Sequence, residues 1–140
     1  MDTCWAALQL IAPAFWLGSV FAISFLEAPL KFRAPDVTLQ LGLGIGRLVF
    51  RALNACEIVL AALIAVVLLA DETERGVVIA ALSAFAALVI QLVAVRPALS
   101  LRTDRVLAGD SAGSKVHLIY IALEMLKVVA LVVLGVLALR

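Results

Sequence analysis

His117, Tyr120, Glu124 and Lys127 follow one another at steps of three, four and three residues. On a helix that spacing gathers them into one stripe, an arc of roughly 80°. Arg47, Arg51, Asn54 and Glu57 make a second stripe, within roughly 120°. Gln9, Pro13, Trp16, Ser24 and Glu27 make a third, of about 80°. Gln91 stands alone in a fourth apolar stretch. Carboxylates next to lysine and arginine in an apolar setting can do two things. They can pair and fix the register of neighbouring helices, or they can leave an unpaired group that takes a proton, a cation or a basic ligand group. The available pairings are Glu57 with Lys127, and Glu27 or Glu124 with Arg51. Three acids, Glu27, Glu57 and Glu124, then face two deeply placed bases, Arg51 and Lys127, unless Lys31, Arg47 or His117 closes the gap from the membrane interface.

Other chemistries are poorly served. A single histidine cannot complete a bis-histidine haem site. His117 can instead hydrogen-bond a loop or change charge near neutral pH. It lies seven residues, about 10 Å along a helix, from Glu124, too far to share one metal ion. The Glu-x-x-His pair of di-iron bundles is absent. Tyr120 and Trp16 read as interface packing rather than redox relays. Ser, His and Asp form no triad, and no phosphate loop occurs. The cysteines, Cys4 and Cys56, support neither a disulfide framework nor a zinc site, and the expected topology puts them on different sides of the midplane.

The elements that must carry these stripes are written in the composition. Hydrophobic residues make up 66% of 140 and charged residues 15%. A chain this short cannot hide so much apolar surface in a water-soluble core. The net charge of +1 leaves no basic surplus for a nucleic-acid partner. Four apolar runs, residues 5–28, 49–70, 77–95 and 117–139, each have the length that crosses about 30 Å of hydrocarbon as a helix. The expected fold is an all-α, four-transmembrane-helix bundle in a single domain, with the lipid bilayer as its partner and the bacterial inner (plasma) membrane as its location. The N-terminus lacks the positive segment of a signal peptide, so the first run reads as a retained helix.

Lysine and arginine set the expected orientation. Lys31, Arg33, Arg47 and Arg51 flank the first connection, and Arg96, Arg102, Arg105 and Lys115 the third. The second connection, Asp71-Glu72-Thr73-Glu74-Arg75, is acidic. Both basic segments should face the cytoplasm and both termini the other side. Glu57, Glu124 and Lys127 then lie about 12, 10 and 15 Å into their helices, with Glu27 and Gln91 near the cytoplasmic ends of theirs. Between Pro35 and the second run lies Leu41-Gly42-Leu43-Gly44-Ile45-Gly46-Arg47. It reads as a flexible or closely packed approach to that run, or as backbone that nears a ligand; it lacks the spacing and preceding strand of a dinucleotide loop.

Two resemblances bear on this reading. Trp16-x-Gly18, Ala28-Pro29-x-x-Phe32, Gly46-Arg47, Arg96-Pro97, Arg102-x-Asp104 and His117 together resemble the four-helix membrane proteins typified by transmembrane protein 205. That resemblance spans most of the chain and implies topology rather than chemistry, since the family is a domain of unknown function. Arg51-Ala52-Leu53-Asn54-x-x-Glu57 is similar to a helix-2 motif of the membrane-associated eicosanoid and glutathione enzymes, which would imply a trimer and arginine-held glutathione. Here the arginine-to-asparagine spacing is one residue short, and the later arginine and tyrosine motifs are unmatched.

The function expected from the residues is binding or translocation of a small polar or ionic solute through a cytoplasm-facing cavity. Glu57, Glu124 and Lys127 would form its core, with Arg51, Asn54, His117, Tyr120 and Glu27 around it. Four helices make a thin wall for a pore, which favours a homo-oligomer built through small residues such as Gly18 and Ala28. The alternatives are a membrane enzyme or cofactor-binding protein acting on a quinone, lipid or thioether, and a small subunit or assembly factor whose polar stripes pair with another membrane protein. No cofactor is named by the sequence.

Overall fold

The computed structural model describes residues 3–70, 72–109 and 115–139. They form four long helices, α1 (Cys4–Arg33), α2 (Leu39–Ala70), α3 (Arg75–Leu107) and α4 (Lys115–Leu137), each with a stretch long and apolar enough to cross a membrane. No strand occurs among the described residues. Consecutive helices run antiparallel. α1 packs on α2 and α4, α3 packs most extensively on α4, and α2 touches α3 only lightly. The helices therefore follow chain order around the bundle, and the diagonal pairs α1/α3 and α2/α4 meet at its centre.

Three helices outrun the apolar runs that announced them. α2 begins at Leu39, ten residues before Val49, and α3 continues to Leu107, well past Val95. The cause is local. Asp36 takes a left-handed φ of 64°, which turns the chain after Pro35. Thr38 then caps α2, its Oγ1 accepting from the Leu41 N–H at 3.2 Å. The glycine-rich segment is thus helix, not a connecting loop. It is also the closely packed approach: Gly42 and Gly46 are buried, a Cβ on Gly42 would overlap the Phe32 ring, and one on Gly46 would lie 2.6 Å from Lys31 Nζ. At the other end of α3, Gly109 at φ 103° ends the helix, as a residue without Cβ can.

Two wide turns interrupt the regular helices. Phe21–Glu27 in α1 and Gln91–Val95 in α3 are π-helical, and Pro29 and Pro97 follow two residues after each. A proline offers no N–H and its ring crowds the carbonyl four residues back. Widening to i→i−5 bonds absorbs that conflict without breaking the rod. The bonds Ala28 N–H to Ile23 O and Arg96 N–H to Gln91 O are of this type.

The bundle divides along its length. Below the wide turns, towards Cys4, Ala70 and Leu137, the interior is dry: Ala12, Val20, Leu60, Ile64, Leu88, Leu131 and Leu134 pack with the Ala80, Ala81 and Ala84 stripe of α3. In lipid, such small residues give close van der Waals contact where no hydrophobic effect drives helices together. Ile11, Phe15, Leu69, Val93 and Leu118 point outward, as do Cys4 and Cys56, which are both free thiols. So apolar an outer surface matches a hydrocarbon surrounding.

Candidate functional site

At mid-bundle the dry core meets a layer of buried polar groups supplied by every helix. Trp16, Glu57, Gln91, Glu124 and Lys127 are each at most 2% exposed. Lys127 Nζ donates to Glu57 Oε1, to Gln91 Oε1 at 2.7 Å and to Glu124 Oε1 at 3.2 Å, which uses all three of its protons. Trp16 Nε1 donates to Glu57 Oε1 at 2.9 Å. Gln91 Nε2 donates to Glu124 Oε1 at 2.8 Å. The Asn54 amide, oriented to suit its neighbours, donates to Glu57 Oε2 at 3.0 Å and accepts from Arg96 Nε at 2.9 Å and Nη1 at 3.0 Å. Glu57 is thereby satisfied on both oxygens. Glu124 is satisfied on one.

Above this layer lies a cavity of about 580 Å³ lined by all four helices. Its floor is Gln91, Asn54 and Glu124, and its walls include Phe25, Phe50, Leu99 and Ile121. Towards the opening it is rimmed by Lys31, Arg47 and Arg102, while Arg96 reaches down the wall to Asn54. Among the described residues four buried side-chain atoms make no hydrogen bond: Ser24 Oγ, Tyr120 Oη, Glu124 Oε2 and Arg102 Nε. All four residues line this one cavity. A buried polar atom without a partner costs about 1–3 kcal/mol, so their convergence marks a space shaped for something polar.

The rim is tied by weaker contacts. Lys31 reaches Glu27 at 3.3 Å and lies 5.6 Å from the centroids of both Phe32 and Phe50. Arg47 pairs with Asp104 at 2.7 Å, bridging α2 to α3 where those helices otherwise barely touch. Phe50 meets Tyr120 edge-on at 5.6 Å, which sets the phenol against the cavity wall. Among the described residues no carboxylate lies within ion-pair distance of Arg96 or Arg102.

Glu57, Glu124, Lys127, Asn54 and Tyr120, placed on two separate stripes by the sequence, do come together. Within that set the roles differ from expectation. Glu57 and Lys127 are sealed beneath the cavity and do not line it; only Glu124 of the three faces it. Arg51 is not part of the cluster. It is exposed on the outer face of α2, and neither Glu27 nor Glu124 pairs with it. The reason is register: Asn54 and Glu57 fall on the buried rows of α2 with Gly46, Leu53 and Leu60, and Arg51 lies beside them. Glu27 pairs with Lys31, one turn along its own helix, outside the cavity lining. The His117 side chain lies outside the described residues. Gln91, expected near the end of its helix, sits at mid-bundle because α3 continues to Leu107.

Three participants escaped the sequence reading. Trp16 anchors Glu57 as well as stacking on Phe85 at 6.2 Å. Arg96 and Arg102 stood as loop charges for orientation. The Pro97 that follows Arg96 offered a usable signal, since proline is well tolerated at the first turn of a continuing helix. No protein-family model matches the chain, and neither a curated protein nor a solved structure is found similar to it.

Proposed function

We propose that this chain is an integral membrane protein, set in a bacterial inner membrane with both termini outside, that binds a small polar or ionic solute in the cavity above Glu124 and serves its passage or presentation. The observation that carries the reading is the convergence of Ser24, Tyr120, Glu124 and Arg102, each with a buried unpartnered atom, on a single space. The basic rim supports the orientation. Lys31, Arg47 and Arg102 gather at the cavity's opening, whereas the far connection carries Glu72 and Glu74 beside Arg75. The dry alanine-rich half supports one-sided access: a solute in the cavity would meet a packed plug, and passage would require that half to move. The two proline-linked π turns lie at the level of the cavity and are places where helices of this kind bend.

The experiment is native mass spectrometry of the protein released from mild detergent, with Glu124→Gln as the comparison. The expected result is a reproducible added mass on the wild-type protein that the variant loses. A bare wild-type protein that also takes up no solute in a broad binding screen would overturn the reading. The same spectrum weighs the assembly and so decides whether the bundle acts as a homo-oligomer.

A further inference from the structure

The cavity has a chemical direction. Its floor presents an acceptor: Glu124, 2% exposed, turns Oε1 to Lys127 and Gln91 and leaves Oε2 to the cavity. Tyr120 and Ser24 bring hydroxyls to that end; Tyr120 is close enough to both Ser24 and Glu124 to interact with them. The opposite end presents cations. Lys31 and Arg47 are held by Glu27 and Asp104, and Arg96 is turned down onto Asn54 at the floor, but Arg102 has no carboxylate partner among the described residues and its Nε is buried without an acceptor. Between the ends the wall is apolar, through Phe25, Phe50, Leu99 and Ile121.

Resting on the solute-binding reading above, we infer that the ligand is a bipolar organic molecule with an oxyanion at one end. It carries a carboxylate or phosphate that Arg102 holds, an apolar middle, and at the other end an ammonium or hydroxyl that donates to Glu124 Oε2. A guanidinium recognises an oxyanion through paired N–H donors, which a lone ammonium cannot match. A carboxylate oxygen at the cavity floor, approached by the Tyr120 hydroxyl without a well-formed hydrogen bond, selects a donor rather than a second anion. The separation of the two ends sets the length. Gln91 is level with Glu124, and Arg102 lies eleven residues further along α3, about 16 Å at the helical rise before the two side chains reach toward each other. A single inorganic ion cannot touch both ends, and a purely apolar amphiphile leaves Glu124 unanswered.

The test is calorimetric titration of the detergent-purified protein with straight-chain ω-amino acids of increasing length, alongside the alkanoate and alkylamine of each length. The ω-hydroxy acids form a further arm that separates an ammonium from a hydroxyl donor. One length is expected to bind at least about tenfold more tightly than either half-ligand, the gain of one charge-assisted contact. Arg102→Gln should erase the advantage over the amine, and Arg102→Lys should restore only part of it. Glu124→Gln should erase the advantage over the alkanoate. Tyr120→Phe, which keeps the ring in place, provides a second variant at that end should Glu124→Gln fold poorly by circular dichroism. Equal affinity for whole and half ligands, or no preferred length, overturns the inference. A retained solute of other chemistry in the mass spectrum, with no member of the series bound, overturns the inference alone and leaves the solute-binding reading intact. No added mass and no titration signal with any compound overturns both.

Discussion

Lys127→Met is the perturbation that tests the architecture of the polar layer most directly. Lys127 is fully buried and is the only cation in ion-pair contact with Glu57 and Glu124 among the described residues. With it, two acids and one base give that trio a net charge of −1; without it the charge is −2, in a place where water is excluded. Methionine fills nearly the same volume, so the cavity contribution is small. The loss is electrostatic. Two hydrogen bonds to carboxylates, each worth about 1.5–3 kcal/mol, disappear with one to an amide. Removing one partner from a buried ion pair typically costs about 3–5 kcal/mol. A cost in that range is expected, or proton uptake by one of the two carboxylates that absorbs part of it. The assay is reversible unfolding in mixed micelles of mild detergent and dodecyl sulfate, followed by circular dichroism. Glu57→Gln in the same chain returns the trio's charge to −1, so the double variant should recover at least about 2 kcal/mol of the loss, a coupling within the range for contacting residues. A single variant within about 1 kcal/mol of wild type, or a double variant whose losses simply add, would refute the claim that Lys127 holds the helices through charge.

Four further outcomes follow from the same geometry. Trp16→Phe removes the Nε1 donor 2.9 Å from Glu57 while keeping a ring against Phe85, and should cost about 1–3 kcal/mol in the same unfolding assay. Glu27→Gln breaks only the rim contact with Lys31, partly open to solvent at the Glu27 end, and should change stability by no more than about 1 kcal/mol, so a larger loss would show that the rim is structural. Arg51→Leu should leave solute binding unchanged, because Arg51 points away from the cavity; loss of the bound mass in the native spectrum would contradict that placement. In intact cells, a membrane-impermeant maleimide should label Glu72→Cys from outside and Asp104→Cys only after permeabilisation, in a chain with both native cysteines replaced; the reverse pattern would invert the orientation.

The sequence by itself determined that the chain forms four long apolar helices. Four runs of the right length in a chain 66% hydrophobic leave helices as the economical way to satisfy the backbone in lipid, and four such helices are what the structure shows. The 3.6-residue period also placed Asn54 beside Glu57, and Tyr120 beside Glu124 and Lys127, on common stripes. It could not separate Arg51 from its neighbours, since an arc of about 120° is wide enough to include both a buried row and its flank. Hydropathy marks the apolar stretch of a helix and not its ends. The start of α2 was set by the turn at Asp36 and by Thr38 and the end of α3 by Gly109, and the longer α3 is what carries Gln91 to mid-bundle and Arg96 and Arg102 to the cavity. Which stripes meet depended on the order of helices around the bundle, a long-range property that local spacing does not encode. With α2 and α4 diagonal, Glu57 and Lys127 close across the centre. That closure seals both charges, and the tertiary structure alone decided that the oxygen left open belongs to Glu124.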